Sequence, residues 1–270
     1  MRSLAEFWKL LGKAVWRAYD RNCGSTAKAA AYSGLLALFP VLAALTAVLV
    51  QMRANEIVGV ISANLSEVLP PGTEQMIFDQ FVIKGEKPIG ILIVAVVLAA
   101  WAASGFMSSL VDGFNQVYGV EGRPWARQIG ASFALVFACA LPVIGASALI
   151  LFGERIQRSI AWEPLAGGVA LLFRFARIFI ALGGMVLVTG LLYYWGPNRK
   201  QSWRNVWPGA WIATVLWLTA TAAFGWYVQN IAGYNVMYGS IGTVIALLVW
   251  IYLLAFIACA GCAFNAVREK

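Results

Sequence analysis

Six long apolar runs alternate with shorter polar stretches along this chain, at about residues 29–50, 89–110, 129–152, 174–195, 208–228 and 240–266. Each is near the roughly 20 residues that a helix needs to cross a bilayer core. The pattern predicts six transmembrane helices in one membrane domain spanning 29–270. Residues 1–28 differ. Leu4, Phe7, Trp8, Leu11, Val15 and Ala18 recur at helical spacing, with Lys9, Lys13, Arg17 and Asp20 largely on the other side. That spacing predicts an amphipathic helix lying in an anionic membrane face, with a soluble stub as the alternative. It lacks the short apolar core and small-residue cleavage site of a secretory signal. Ser25 or Thr26 is the expected cap of the first span.

The longest connection, 51–88, carries a second helical stripe at Ile57, Val58, Ile61, Leu65 and Val68, broken by Pro70-Pro71-Gly72. Thr73 then opens a short stretch with Met76, Ile77, Phe78 and Phe81. Two amphipathic helices in an extracytoplasmic loop are predicted.

Composition places these helices in a membrane. Apolar residues are 61% of the 270 and charged residues 12%, against about 45–50% and about 25% in soluble domains. That leaves too little charge to cover a water-facing surface, and the all-α polytopic class follows. The net charge of +8 then reads as topology and attraction to anionic lipids, with no nucleic-acid partner expected. Thirteen Lys and Arg fall in the two termini and the 111–128 and 196–207 loops, and seven in the remaining connections. The positive-inside rule puts both termini in the cytoplasm.

Candidate chemistry is sparse. The chain has no histidine, which removes Ser-His-Asp catalysis and the commonest zinc sites. Cys259 and Cys262 form a CxxC without a second pair, so Cys23, Cys139, Cys259 and Cys262 read as small buried residues. No phosphate-binding loop, dinucleotide fingerprint or paired carboxylate is legible, and no cofactor, metal or catalytic residue is expected.

Arg174 and Arg177 sit three apart inside an apolar run. Arginine in hydrocarbon is expensive, so the pair either lines a cavity that takes an anionic headgroup or snorkels to the interface. Asp112 and Asn115 share that spacing near the end of span two and either join a polar pathway or mark the helix leaving the membrane. Pro40 and Pro142 are candidate kinks. Gly183, Gly184, Gly190, the Gly130-Ala134-Ala138 stripe and the Ala255-Cys259-Ala263 stripe are candidate packing faces. They also leave room for a homo-oligomer.

Three segments together carry a family resemblance: AAAYSGLLALFP ending at Pro40, WAASGFMSSLVDGFNQVYG into RPWARQ, and the C-terminal third from YYWGPNRKQSW to GCAFNA. In their order, Pro197, Asn198, Pro208, Gly209, Tyr238, Gly239, Ser240 and Trp250 with Ile251 and Tyr252 resemble the YihY/virulence factor BrkB family of bacterial inner-membrane proteins. Two departures stand out. Ser33 and Ala37 replace an aromatic residue and a serine in the first motif, and Gly261-Cys262-Ala263 replaces Gly-Ala-Glu near the end.

The resemblance implies six spans in a bacterial inner (cytoplasmic) membrane. It also brings a ribonuclease label attached to some members, which these residues do not support, and links to serum resistance or envelope lipid export. The reading from sequence is a transporter-like, non-enzymatic protein that handles an anionic lipid or other amphipathic envelope molecule. The alternative is a membrane scaffold or assembly partner.

Overall fold

The computed structural model describes residues 4–51, 89–160, 166–230 and 240–269. Every regular element among them is a helix: α1 Leu4–Asp20, α2 Cys23–Gln51, α3 Ile89–Tyr118, α4 Trp125–Ile160, α5 Ala166–Trp195, α6 Trp203–Asn230 and α7 Ser240–Arg268. The six from α2 to α7 each contain a stretch long and apolar enough to cross a membrane. The amphipathic pair expected within 51–88 lies outside the described residues, apart from Gln51.

Helix limits run past the apolar cores. α2 begins at Cys23, not near residue 29, so Ser25 and Thr26 sit in its first turn. The turn before it is made by Asn22, at φ +57°, whose side chain accepts from Ser25 Oγ at 2.9 Å. Asparagine tolerates this left-handed conformation because its amide bonds locally. α4 continues past 152 to Ile160, and α5 starts at Ala166, eight residues before its expected start at 174. Pro40 and Pro142 both lie inside continuous helices.

The bundle is small inside and large outside. Ala27, Ala30, Ala210, Ala213, Ala258, Cys259, Cys262 and Ala263 are buried, while Ile93, Val97, Leu98, Trp101, Leu141, Phe179, Trp211 and Val215 are exposed. Lipid is as apolar as leucine, so burying leucine gains little there; close backbone approach gains dispersion contacts instead. α7 is the central element, packed against α1, α2, α3 and α6. α2 lies along α3, α3 along α4, α4 along α5 and α5 along α6.

The packing glycines differ from those expected. A Cβ at Gly130, Gly183 or Gly190 would meet nothing within 4 Å. Tight positions include Gly209, which would collide with the Gly261 carbonyl, Gly261, which would collide with Tyr193 Oη, and Gly196, which would collide with the Leu192 carbonyl. At Gly113 a Cβ would sit 2.8 Å from Cys259 Sγ and 3.0 Å from Thr26 Oγ1. Ala134 is exposed, so the inner face of α4 is Gln128, Ser132, Leu135 and Cys139 instead. Spacing alone finds a stripe of small residues but not the side on which a neighbour stands. The Ala255-Cys259-Ala263 stripe is buried.

α1 shows a similar division. Ala14 and Ala18 are buried, with Leu10 and Leu11 packed on the core, and Phe7 meets Phe264 of α7 at 6.1 Å between ring centres. Trp8, Trp16 and Tyr19 point outward. The stripe read from spacing is thus split: the alanines allow contact with α7, and the bulky Trp8 and Val15 are turned away.

Candidate functional site

The polar residues gather at one end of the bundle, where α3, α5 and α7 finish and α2, α4 and α6 begin. α3 closes on Gly119 at φ +69°. Val120 N–H bonds the Asn115 carbonyl at 3.0 Å and Gly119 N–H bonds the Gln116 carbonyl at 3.1 Å. These are the paired bonds of a Schellman cap, which needs a left-handed residue at this position. Arg17 of α1 adds two donors to the Val117 carbonyl, from Nε at 3.1 Å and Nη2 at 2.9 Å.

The end of α5 is held the same way. Arg123, in the loop between α3 and α4, donates to the carbonyls of Gly196 at 2.7 Å, Trp195 at 3.0 Å and Pro197 at 3.1 Å. A guanidinium suits this task, because it offers several donors in a fixed fork to the negative end of a helix. Partial burial lowers its pKa from the ordinary value, which is high enough that the group stays charged at neutral pH.

Asn198 follows. Its backbone N–H donates to Asn115 Oδ1 at 2.7 Å, and its Nδ2 donates to the Glu121 carbonyl at 3.0 Å. Tyr118 and Gln201 join the same knot through a 3.1 Å hydrogen bond. Arg199 lies over the Tyr118 ring at 4.4 Å and pairs with Glu269 at 2.8 Å.

α6 and α7 are joined by Asn265. Its Oδ1 accepts from Gly209 N–H at 2.7 Å and its Nδ2 donates to the Val206 carbonyl at 3.0 Å. Pro208 stands between those two positions and has no N–H to give its own helix. Beside this lock opens a cleft of about 410 Å³ lined by Asn205, Asn265, Arg268 and Glu269. It combines one exposed guanidinium, two amides and a carboxylate whose charge Arg199 already offsets.

The structure separates residues that spacing had grouped. Asn115 is buried, with its amide nitrogen lacking a partner among the described residues, whereas Asp112 is exposed and accepts from Gln128 Nε2 at 3.2 Å. Arg174 and Arg177 lie three apart in the first half of α5, and their side chains fall outside the described residues. So do Tyr238, Gly239 and the side chain of Ser240. Trp250 Nε1 reaches Thr221 Oγ1 at 3.3 Å. The four cysteines are free and buried. Among the described residues no three His, Cys, Asp or Glu side chains converge.

Sequence spacing does not single out Arg123, Asn265 or Arg268 as site residues. Arg123 stands in a short loop, where a cation is unremarkable. Asn265 gave the better signal, since an amide in a long apolar run must find buried partners.

The fold and this knot define a polytopic helical membrane protein tied at one end by amide and guanidinium side chains. The chain belongs to the virulence factor BrkB family, whose model matches residues 14–270. It is similar to the ribonuclease-like protein YfkH of Bacillus subtilis, at 32% identity over 89% of this chain and 88% of that one. It is also similar to UPF0761 membrane proteins of Aromatoleum aromaticum, at 26% identity over 97% of this chain and 63% of that one, and of Chromobacterium violaceum, at 28% over 63% and 40%. The chain thus spans less than two thirds of the length of those two relatives. No solved structure matches it.

Proposed function

We propose that this protein is transporter-like and handles an anionic amphipathic molecule of the bacterial envelope, a lipid foremost, in the inner membrane. The observation that carries this reading is the cleft of about 410 Å³ at the α6–α7 end, where Arg268 stands with Asn205 and Asn265. The exposed guanidinium beside the exposed Asn205 amide suits a phosphate-bearing headgroup, while Asn265, bonded to Gly209 and Val206, holds the cleft's two helices together. The exposed apolar side chains along α6, among them Trp211, Val215 and Leu218, leave acyl chains free to stay in the bilayer. The excess of Lys and Arg at this end of the bundle makes it the cytoplasmic face and an attractive surface for anionic lipid.

The reading is of a non-enzyme. Hydrolysis of RNA by acid–base or two-metal chemistry needs convergent histidines or carboxylates. Glu269, the acid of the cleft, is engaged by Arg199.

One observation favours a second reading, a scaffold or assembly partner. The polar atoms of Arg123, Asn198 and Asn265 are spent on backbone groups of the bundle itself. Native mass spectrometry of the purified protein separates the two, with retained lipids identified. Wild type is compared with Arg268→Ala and with Arg174→Ala/Arg177→Ala. An anionic lipid held by wild type and lost from Arg268→Ala supports the headgroup site. Equal retention in all three favours the scaffold.

A further inference from the structure

A second polar cluster lies between α3 and α4, away from the cleft. On α3, Ser108 and Asp112 are four apart and share a face; on α4, Gln128 and Ser132 do the same. The two helices form an antiparallel hairpin about the 119–124 loop, so these faces meet. Gln128 Nε2 lies 3.2 Å from Asp112 Oδ1 and 3.4 Å from Ser108 Oγ. Gln128 Oε1, and Ser132 Oγ one turn further along α4, are buried and lack a hydrogen-bond partner among the described residues, on residues 9% and 1% exposed. Buried polar atoms are rarely left in that condition.

The chemistry of the donor set is one-sided. Asp112, Ser108, Gln128 and Ser132 offer a carboxylate, two hydroxyls and a carboxamide, all hard oxygen ligands. A half-turn of the Gln128 amide would bring its oxygen where the nitrogen now stands. The nitrogen faces Asp112 because two oxygens would repel each other there, and a cation between them removes that repulsion. One carboxylate balances one positive charge. A divalent ion would leave a net charge in a partly dry seam, which is costly. Asp112 is exposed and gives access from the interface, while Ser132 is closed to anything as large as a lipid headgroup.

We propose that the seam formed by Ser108, Asp112, Gln128 and Ser132 binds a small monovalent metal cation, sodium being the best match to a site of hydroxyl, amide and single carboxylate oxygens. Asp112 lies roughly 9 Å along α3 from the helix end at Tyr118, at the helical rise per residue. It does not depend on what the cleft at α6 and α7 holds.

The test is thermal unfolding of the full chain in phosphatidylcholine nanodiscs, followed by tryptophan fluorescence. Sodium chloride replaces choline chloride at constant ionic strength. In wild type the Tm should rise with sodium and saturate, and potassium should act only at higher concentration. In Asp112→Asn the half-saturating sodium concentration should rise about tenfold or more, as loss of the single charge requires. Should Asp112→Asn fail to fold, Ser132→Ala carries the test, with a weaker sodium response and altered selectivity expected. Glu121→Gln, outside the seam, should respond as wild type.

A flat Tm in wild type overturns the proposal. So does an equal rise in sodium, potassium and lithium, which marks a general salt effect, or an undiminished sodium response in both seam variants. A rise given by phosphatidylethanolamine nanodiscs without sodium, lost in Asp112→Asn, would make the occupant a lipid ammonium group and overturn it equally.

Discussion

Asn265 Oδ1 accepts the backbone N–H of Gly209 at 2.7 Å, across 56 residues of sequence and inside a buried seam. The same side chain donates to the Val206 carbonyl on the other side of Pro208. One amide therefore satisfies a donor and an acceptor of the facing helix. Truncation leaves both stranded where neither water nor lipid replaces them. Asn265→Ala should cost about 2–6 kcal/mol, from two buried groups at about 1–3 kcal/mol each. Asn265→Asp keeps the acceptor but sets an oxygen against the Val206 carbonyl, where a buried charge is costly, so thermal unfolding in detergent should rank wild type above both variants.

The closeness that permits this bond makes Gly209 and Gly261 intolerant of a methyl group. Each faces backbone or a fixed hydroxyl, which cannot move aside. Gly209→Ala and Gly261→Ala should each destabilise by about 3 kcal/mol or more, the upper end of overpacking. Gly183→Ala, in open space, should leave stability unchanged or raise it by up to about 1 kcal/mol through helix propensity. The yield of monodisperse protein on size exclusion reads the contrast.

Arg123 binds three successive carbonyls at the end of α5. Lysine keeps the charge but not the fork. Arg123→Lys should therefore cost about 1.5–3 kcal/mol, the range of hydrogen bonds to a charged group. A loss of melting temperature in Arg123→Lys smaller than that in Lys28→Ala, at an exposed position of α2, would contradict this role.

Orientation has its own test. Fusions at either terminus should give fluorescent green fluorescent protein and inactive alkaline phosphatase, as cytoplasmic termini require. Active phosphatase at the C-terminus would invert the assignment and put the cleft on the outer face.

How far the sequence foretold these features depends on the range of the interaction. The six apolar helices were plain, because a span writes its length directly into consecutive residues. Helix ends were less so: α5 begins eight residues before the start expected from its arginines, since an Arg does not stop a helix. The family motif was legible as residues but not as roles. Asn115 was noticed beside Asp112, its neighbour in spacing. Its bonded partner is Asn198, 83 residues away, and no local pattern announces such a pair. The glycine positions failed for a related reason. Gly183 and Gly209 look alike in sequence, and only the position of α7 decides which one is pressed against a neighbour. Arg268 was counted for topology alone, because the cleft around it is built from α6 and α7 together.

The most direct measurement is labelled-lipid movement across proteoliposomes containing the purified protein, with several headgroups in parallel. The account predicts transfer of an anionic lipid faster than in empty vesicles, and a drop of about tenfold in Arg268→Ala, near the loss expected from one charged contact. No rate above empty vesicles for any headgroup, from protein that is folded and monodisperse, would contradict it.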